Sequence, residues 1–332
     1  MLGGAAMRRR DFIGLVGGAV AWPVVAQAQQ SSRLPVIGVL WAGNPENEAV
    51  RRLPLLKGLA EFGYVPGKTI ILEERYPDEI SERIDAFAIE LVNLKVDIVV
   101  VRGGTPIYAI QRATRTIPTV FVGVSDAIAT GLVSDISKPG GNISGITQMN
   151  PDTVAKRLQL FQTTIPSLSR VAILHDPANQ GGRNELSQLS AAGSKLGLSF
   201  EVFNVSGGND IDQAFQKMNE LRTQAVICLS ENLLYSESRR ISSLGLKYRL
   251  AVLGPSKLFV DVGALASYGP DFPTLWHGAG YFVDKILKGV KVGDLPIQQP
   301  TKFEFSINLQ TAKALGIEIP AAMLALADQV IE

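Results

Sequence analysis

Residues 96–124 read VDIVVVRGGTPIYAIQRATRTIPTVFVGV and contain a complete strand–helix–strand unit. The run at 98–101 is apolar on both faces, which is typical of a parallel-sheet strand that helices cover on both sides. The turn at 103–106 begins a helix that extends to about residue 114, and residues 118–124 form the next strand. Units of this kind are right-handed and build a doubly wound layer. The stretch therefore predicts an α/β protein with a parallel sheet.

The same alternation continues on both sides of this unit. Towards the amino terminus we predict strands at 36–41 and 69–76 and helices at 46–62 and 81–94. A Gly- and Pro-rich segment at 137–142 interrupts the pattern, and a crossing strand follows at 143–147. A second series then predicts helices at 152–164, 182–196, 210–221 and 233–248 and strands at 171–175, 199–205, 225–229 and 251–254. The chain therefore forms two similar α/β lobes in tandem.

The last quarter of the chain is too short to form a third domain. It offers strands at 264–268 and 303–307 and helices at 272–287 and 309–315, which are too few to enclose a core. We therefore expect these elements to complete the two existing sheets, so that the chain crosses between the lobes more than once.

Composition excludes several classes of protein. The 332 residues are 46% hydrophobic and 19% charged, with a net charge of +1, which argues against a disordered chain and against a nucleic-acid partner. A single cysteine, Cys228, excludes an internal disulfide, and it lies in an apolar run that predicts burial. No phosphate loop, GxGxxG or GxSxG motif is present, and the two histidines lack ligand spacing. We therefore predict no cofactor, no metal and no catalytic residues.

The first 28 residues have the three parts of a secretory signal peptide. Basic residues at 8–10 precede an apolar stretch at 15–22 and a small-x-small site at 26–28. The paired Arg9 and Arg10 followed by Phe12 are similar to a twin-arginine export signal, with general secretion as the alternative. We expect cleavage near Ala28 and a product in the periplasm, without stable insertion into the membrane.

Polar, small and aromatic residues follow five of the predicted strands. In doubly wound sheets, ligands bind at the carboxyl ends of strands, where helix N-termini favour anions. The candidate ligand-binding residues are Trp41, Asn44, Gly103, Thr105, Ser125, Asp126, Ser230, Glu231, Asn232, Tyr268 and Asp271. Each also has a structural alternative, because Thr105, Asp126 and Asp271 are good helix caps and the two aromatic residues suit a core. Together, however, the five ends can converge only on a cleft between the lobes.

Five stretches of this chain resemble the substrate-binding proteins of ABC transporters, in the family that includes the tryptophan-binding type. They lie at 103–106 (GGTP), 117–126 (IPTVFVGVSD), 139–145 (PGGNISG), 267–271 (SYGPD) and 300–304 (PTKFE), and INLQTAKALG at 307–316 follows them. The resemblance implies a type I periplasmic-binding fold, with two Rossmann-like lobes joined by three crossovers around a central cleft. On this basis the first lobe comprises 34–146 and about 264–298, and the second comprises 147–263 and about 299–332.

The resemblance also implies a function. We expect a monomer that captures a small organic ligand, an amino acid or a related compound, by closing about a hinge and delivers it to an inner-membrane ABC permease. The ligand carboxylate would lie at the helix start at Thr105, and the ammonium would face Asp126, with Asp271 and Glu231 as the next candidates. A sensor module that presents its ligand to a receptor and an exported α/β enzyme are the alternatives.

Overall fold

Two β-sheets organise the chain, and the computed structural model describes residues 33–148 and 151–332. All twelve strands and twelve α-helices described here lie within Pro35–Glu332. The predicted signal peptide at 1–28 lies outside the described residues. The two-lobed α/β fold predicted from the sequence is confirmed.

The first sheet is entirely parallel, with strand order β2-β1-β3-β4-β5. Its strands are β1 (Val36–Leu40), β2 (Ile71–Arg75), β3 (Ile98–Arg102), β4 (Thr119–Val124) and β5 (Ile143–Thr147). The helices that connect them are α1 (Pro45–Glu61), α2 (Ser81–Asn93) and α3 (Thr105–Ala113).

Strand β3 is buried on both faces, as its sequence predicts. Ile98 and Val100 belong to the core cluster that contains Leu55 of α1, whereas Val99 and Val101 belong to a second cluster on the opposite face. Since successive side chains of a strand point to opposite faces, helices must cover both sides of this sheet. The apolar run therefore encodes a central strand.

The second sheet has the order β12-β11-β10-β9-β8-β6-β7 and is parallel except for the β10–β11 pair. Its strands are β6 (Arg170–His175), β7 (Ser199–Asn204), β8 (Ala225–Cys228), β9 (Ala251–Gly254), β10 (Ala266–Pro270), β11 (Phe303–Asn308) and β12 (Gln329–Ile331). The helices from this half of the chain are α4 (Pro151–Thr164), α5 (Gln180–Leu196), α6 (Gly208–Glu220), α7 (Asn232–Ser236), α8 (Ser238–Tyr248), α9 (Lys257–Asp261), α10 (Phe272–Leu287), α11 (Leu309–Leu315) and α12 (Ala321–Leu326).

The chain crosses between the sheets three times: after β5, between β10 and α10, and before β11. The first and third crossings run side by side, because the Thr147 amide donates to the Gln298 carbonyl at 2.9 Å. Helix α10 belongs to the first lobe, where it packs backbone to backbone on α1. A β-carbon on Gly280 would lie 2.3 Å from the Gly58 carbonyl oxygen, so only glycine permits this approach.

Two sequence predictions differ from the structure. The strand predicted at 264–268 was expected to join the first lobe. The structure shows it as β10, which pairs with β9 and β11 in the second sheet, so the chain crosses to the first lobe after Pro270 and not before residue 264. The single helix predicted at 233–248 is two helices, because Glu237 leaves helical geometry with φ −90° and ψ 7°. Helices α9 and α12 and strand β12 were not expected, since each has at most six residues and too little periodicity to detect.

Among the described residues, no helix is both long and apolar enough to cross a membrane. Within 33–148 and 151–332, no group of three or more His, Cys, Asp or Glu residues could hold a metal ion. Cys228 is buried, as its apolar neighbours predict, and burial raises the pKa of its thiol.

Candidate functional site

A small polar cavity lies where strand ends of the two sheets face each other. The first lobe contributes the ends of β3, β4 and β5, and the second contributes the end of β8 and the start of α5. The cavity volume is about 10 Å³, which is room for about one water molecule. Its lining residues are Gly103, Gly104, Tyr108, Gly123, Val124, Ser125, Thr130, Gln148, Asn179, Gly181, Ser230 and Asn232. No side chain in this set is charged, so hydroxyl, amide and backbone groups supply its polarity.

Hydrogen bonds across this cavity join the two lobes. The Asn232 side chain donates to the Gly103 carbonyl oxygen at 3.0 Å. Gln148 lies where the chain leaves β5. Its side-chain nitrogen, Nε2, lies 3.1 Å from the Ser125 hydroxyl and donates to the Ser230 carbonyl at 3.3 Å. The lobes are therefore in contact around the cavity, which is a closed arrangement.

Two glycines make the close approach at the end of β3 possible. Gly104 has a φ of +90°, and a β-carbon there would lie 2.5 Å from the side-chain nitrogen Nδ2 of Asn232. At Gly103 a β-carbon would lie 2.2 Å from the Gly123 carbonyl oxygen. Glycine is required at both positions, because any side chain would strain the backbone or push neighbouring groups apart.

The N-termini of two helices, one from each lobe, lie at the cavity wall. Helix α3 follows Gly104, which supplies no side-chain cap. Helix α5 follows Asn179, whose side chain accepts a hydrogen bond only from the Gly182 amide, at 3.2 Å. Because the first amides of a helix lack partners within the helix, both termini carry partial positive charge. The arrangement favours an anionic group in the cavity.

A buried ion pair supports the second lobe's side of the cavity. Glu185 accepts a hydrogen bond from the backbone amide of Ser230 at 2.9 Å and forms an ion pair with Arg157. The side chains of Glu185 and Arg157 are each 1% exposed. The neighbouring Glu231 is fully buried and bonds His175 at 2.7 Å. Burial raises the pKa of Glu231 to about 7, and the hydrogen bond to Glu231 raises the pKa of His175. These groups hold the end of β8 in place.

A charged cluster underlies the first lobe's side of the cleft. Glu48 is fully buried and accepts hydrogen bonds from the Gly43 amide at 3.0 Å, from Arg51 at 3.2 Å and from Arg102. Burial alone would raise the pKa of Glu48, but the two guanidinium charges outweigh it and lower the pKa. Glu79 lies 3.7 Å from Arg102, and burial raises its pKa to about 7 against the attraction of that arginine.

The model of a family described as ABC transporter substrate binding protein matches residues 48–331. The chain belongs to this family. The resemblance inferred from the sequence is thereby confirmed, and the partners of such a substrate-binding protein are a small ligand and an ABC permease.

Known proteins resemble this substrate-binding protein over most of its length. A tyrosine-binding protein from Clostridioides difficile (strain R20291) is 24% identical over 263 residues, which is 79% of this chain and 75% of that one. An ABC domain from Streptococcus pneumonia, solved in complex with L-Trp, is 25% identical with a TM-score of 0.85 and covers 90% of this chain and 100% of that one. A conserved domain protein from Vibrio cholerae has the same TM-score and coverage at 24% identity.

Four of the eleven predicted site residues line the cavity of this substrate-binding protein. They are Gly103, Ser125, Ser230 and Asn232. Thr105 is the first residue of α3 and directly follows Gly104. The prediction that strand ends from both sheets converge on one cleft therefore describes the central part of the site.

The other six predicted residues have structural partners and do not line this cavity. Trp41 is fully buried against Trp276, and Tyr268 stacks on Phe303. Asn44 and Asp271 cap α1 and α10, and Glu231 bonds His175. Asp126 accepts hydrogen bonds from the Ile128 and Ala129 amides at 3.0 and 2.9 Å, so it caps a turn. Their contact with a ligand stays a prediction, and these local partners favour the structural alternative.

Several lining residues were not singled out from the sequence. Asn179 and Gly181 follow β6, a strand end that the sequence analysis did not include, and Gln148 follows the crossing strand β5. Their positions after strands were a usable signal. Tyr108 lies inside helix α3, where a residue's spacing carries no information about the facing lobe.

Proposed function

We propose that this protein is a periplasmic solute-binding protein that closes its lobes around a small organic carboxylate, an amino acid or a related compound, and delivers it to an inner-membrane ABC permease. The observation that carries the proposal is the interlobe cavity, because both lobes contribute an uncharged polar lining and one helix N-terminus each. A carboxylate accepts several hydrogen bonds at once, and two helix dipoles stabilise its charge without a cationic side chain.

The ligands of two relatives support the same class of compound. One relative is named as a tyrosine-binding protein, and the other was solved with L-Trp. Both compounds carry a carboxylate beside a hydrophobic group. Tyr108 adds an aromatic ring to the otherwise small lining residues, which suits a ligand of this kind.

Periplasmic delivery by a monomer is part of the proposal. The signal peptide inferred at 1–28 supports export. Surfaces on both lobes are needed to dock on the permease, which favours a single copy. Because the lobes close around the ligand and the protein stays a monomer, ligand binding should reduce the radius of gyration in solution scattering without a change in mass.

Binding without catalysis is also proposed. His175 is paired with Glu231, and His277 lies 2.9 Å from Glu61 on the outer side of α1 and α10. Neither histidine lines the polar cavity, where an acid or base would have to reach a substrate.

A thermal-shift screen of the processed protein tests the function. L-Tyrosine and L-tryptophan are each compared with their amides, which keep the side chain and the amine but lack the carboxylate. A ligand at 100 times its dissociation constant adds about 2.7 kcal/mol to the free energy of unfolding, so a binding acid raises the melting temperature and its amide does not. Equal shifts with acids and amides, or no shift with any carboxylate, would overturn the proposed function.

A further inference from the structure

A second cavity lies beside the polar one, on the other side of α7. The first lobe contributes α1 and the end of β3 to its walls. The second lobe contributes α7, α8, α9 and Val262, which directly follows α9. The cavity volume is about 330 Å³, and the cavity is open to solvent. The lining residues are Glu46, Asn47, Val50, Arg51, Arg102, Tyr235, Ser236, Ser238, Arg239, Leu258 and Val262.

Two buried guanidinium groups line this cavity with donors that the protein does not use. The side chains of Arg51 and Arg102 are 4% and 7% exposed. Every hydrogen bond that the two groups make within 33–148 and 151–332 uses Nη1, which reaches Glu48 in both cases and the Asn47 carbonyl in the case of Arg51. Their Nε and Nη2 groups donate to no described residue. A guanidinium carries five N–H donors, so Arg51 has three left for a ligand and Arg102 has four.

The charges around the cavity favour an anion. Its lining includes three arginines, Arg51, Arg102 and Arg239, and one carboxylate, Glu46. Glu48 offsets part of this charge, but its oxygens are already occupied by the Gly43 amide and the two guanidinium groups. Glu79 is only about half ionised at neutral pH, because burial raises its pKa to about 7, so it adds part of a negative charge.

Tyr235 keeps the two guanidinium groups in position. Its ring centroid lies 5.5 Å from Cζ of Arg51 and 6.0 Å from Cζ of Arg102, and the edges of Phe259 and Phe272 enclose it. Cations lie favourably over aromatic faces, so the ring limits where the arginines can move. Because Tyr235 belongs to the second lobe, the two arginines acquire this partner when the lobes are closed.

The two cavities adjoin through consecutive residues. Arg102 lines the second cavity and Gly103 the first, while on α7 Asn232 lines the first and Tyr235, three residues later, lines the second. Because the Asn232–Gly103 hydrogen bond lies between the cavities, one solute reaches both only where it passes beside this bond.

We propose that the second cavity binds an acidic group at the far end of the same solute, so that the ligand of this protein carries two acidic groups, as in a dicarboxylate or an acidic amino acid. The inference rests on the proposed function, because it assigns one carboxylate to the polar cavity and adds a second at Arg51 and Arg102. Bidentate pairing with a carboxylate is the geometry that a guanidinium provides best.

Calorimetry with matched probes tests the inference. L-Glutamate is compared with L-glutamine, and a series of linear α,ω-dicarboxylates is compared with the corresponding half-amides, which keep length and shape but lack the second charge. We expect the best diacid to bind at least about 30-fold more tightly than its half-amide, since removing one partner of a buried charge pair has at least this effect. The Arg102→Met variant should lose this preference while keeping the affinity for the half-amide.

A second variant covers the case in which Arg102→Met does not fold. Arg239→Gln, at an exposed lining position on α8, should reduce the diacid preference several-fold, whereas Arg240→Gln, exposed on the same helix outside the cavity, should not. Half-amides or monocarboxylates that bind as tightly as diacids would overturn this inference and leave the proposed function intact. The absence of binding by any carboxylate would overturn both.

Discussion

Asn232 in the second lobe donates its side-chain N–H to the carbonyl oxygen of Gly103 in the first lobe, with 3.0 Å between nitrogen and oxygen. These residues are 129 positions apart in the sequence. The bond lies between the two cavities of the cleft. Two further residues of α7 contact the first lobe: the Tyr235 ring lies beside two arginines, and the Ser236 hydroxyl lies 3.5 Å from Glu79. A single short helix therefore provides several of the contacts that hold the lobes closed.

Replacing Asn232 with alanine should shift the protein towards an open form. The lost hydrogen bond is worth about 1 kcal/mol, or roughly five-fold in the ratio of closed to open molecules. Interlobe distances from paired spin labels would show a longer population. Asn219→Ala, at an exposed position on α6, is the control and should leave the distances unchanged. Identical distance distributions in all three proteins would contradict a role for this bond in closure.

Replacing Glu48 with glutamine should strongly destabilise the protein. The variant leaves two buried arginines without their common counter-charge, which costs about 3 to 5 kcal/mol of unfolding free energy. Chemical denaturation measures the change. Glu46→Gln, two residues earlier in the first turn of the same helix and exposed, should cost less than about 1 kcal/mol. Similar losses in both variants would show that the buried cluster is not what Glu48 stabilises.

Asp126 can be tested with two substitutions because asparagine keeps the capping oxygen and removes the charge. If Asp126 only caps its turn, Asp126→Asn should preserve both stability and ligand affinity, and Asp126→Ala should lower the unfolding free energy by about 1 kcal/mol. The structure favours this outcome. A loss of about 30-fold or more in affinity with Asp126→Asn, at unchanged melting temperature, would instead establish Asp126 as the partner of a ligand ammonium.

Glu79 should make the stability of the protein fall as the pH rises. Its pKa is about 7 in the folded protein and 4.5 ordinarily, so its contribution is fully present below about pH 4.5 and is lost as the pH rises through 7. Glu79→Gln should remove this part of the pH dependence, as measured by denaturation between pH 4.5 and 8. Glu82→Gln, at an exposed position on α2, is the control. A Glu79→Gln profile that parallels the wild-type profile would refute the assignment.

Replacing Arg9 and Arg10 with lysine tests the export route. A twin-arginine signal requires the pair, so unprocessed precursor should remain in the cytoplasm, as detected by fractionation and immunoblotting. Normal periplasmic delivery of the variant would assign the protein to general secretion instead.

The sequence by itself determined the local elements and their order. Apolar runs such as 98–101 predicted buried strands, and helix α10 begins and ends where its pattern predicts, because Asp271 caps it and its apolar residues recur on one face. These signals are local: each depends on the side chains of a few neighbouring residues and on one backbone period. The same locality made the strand ends visible, which is why the candidates included Gly103, Ser125, Ser230 and Asn232, which line the polar cavity.

Only the tertiary structure decided which elements share a sheet and which side chains meet. Strand β10 belongs to the second lobe because it pairs with β9 and β11, and no spacing along the chain encodes that choice. The pairing of Asn232 with Gly103 and the meeting of Arg51, Arg102 and Tyr235 join segments that are distant in sequence. Periodicity shows which face of an element is buried but not what buries it, so such contacts exist only once the lobes have folded and closed.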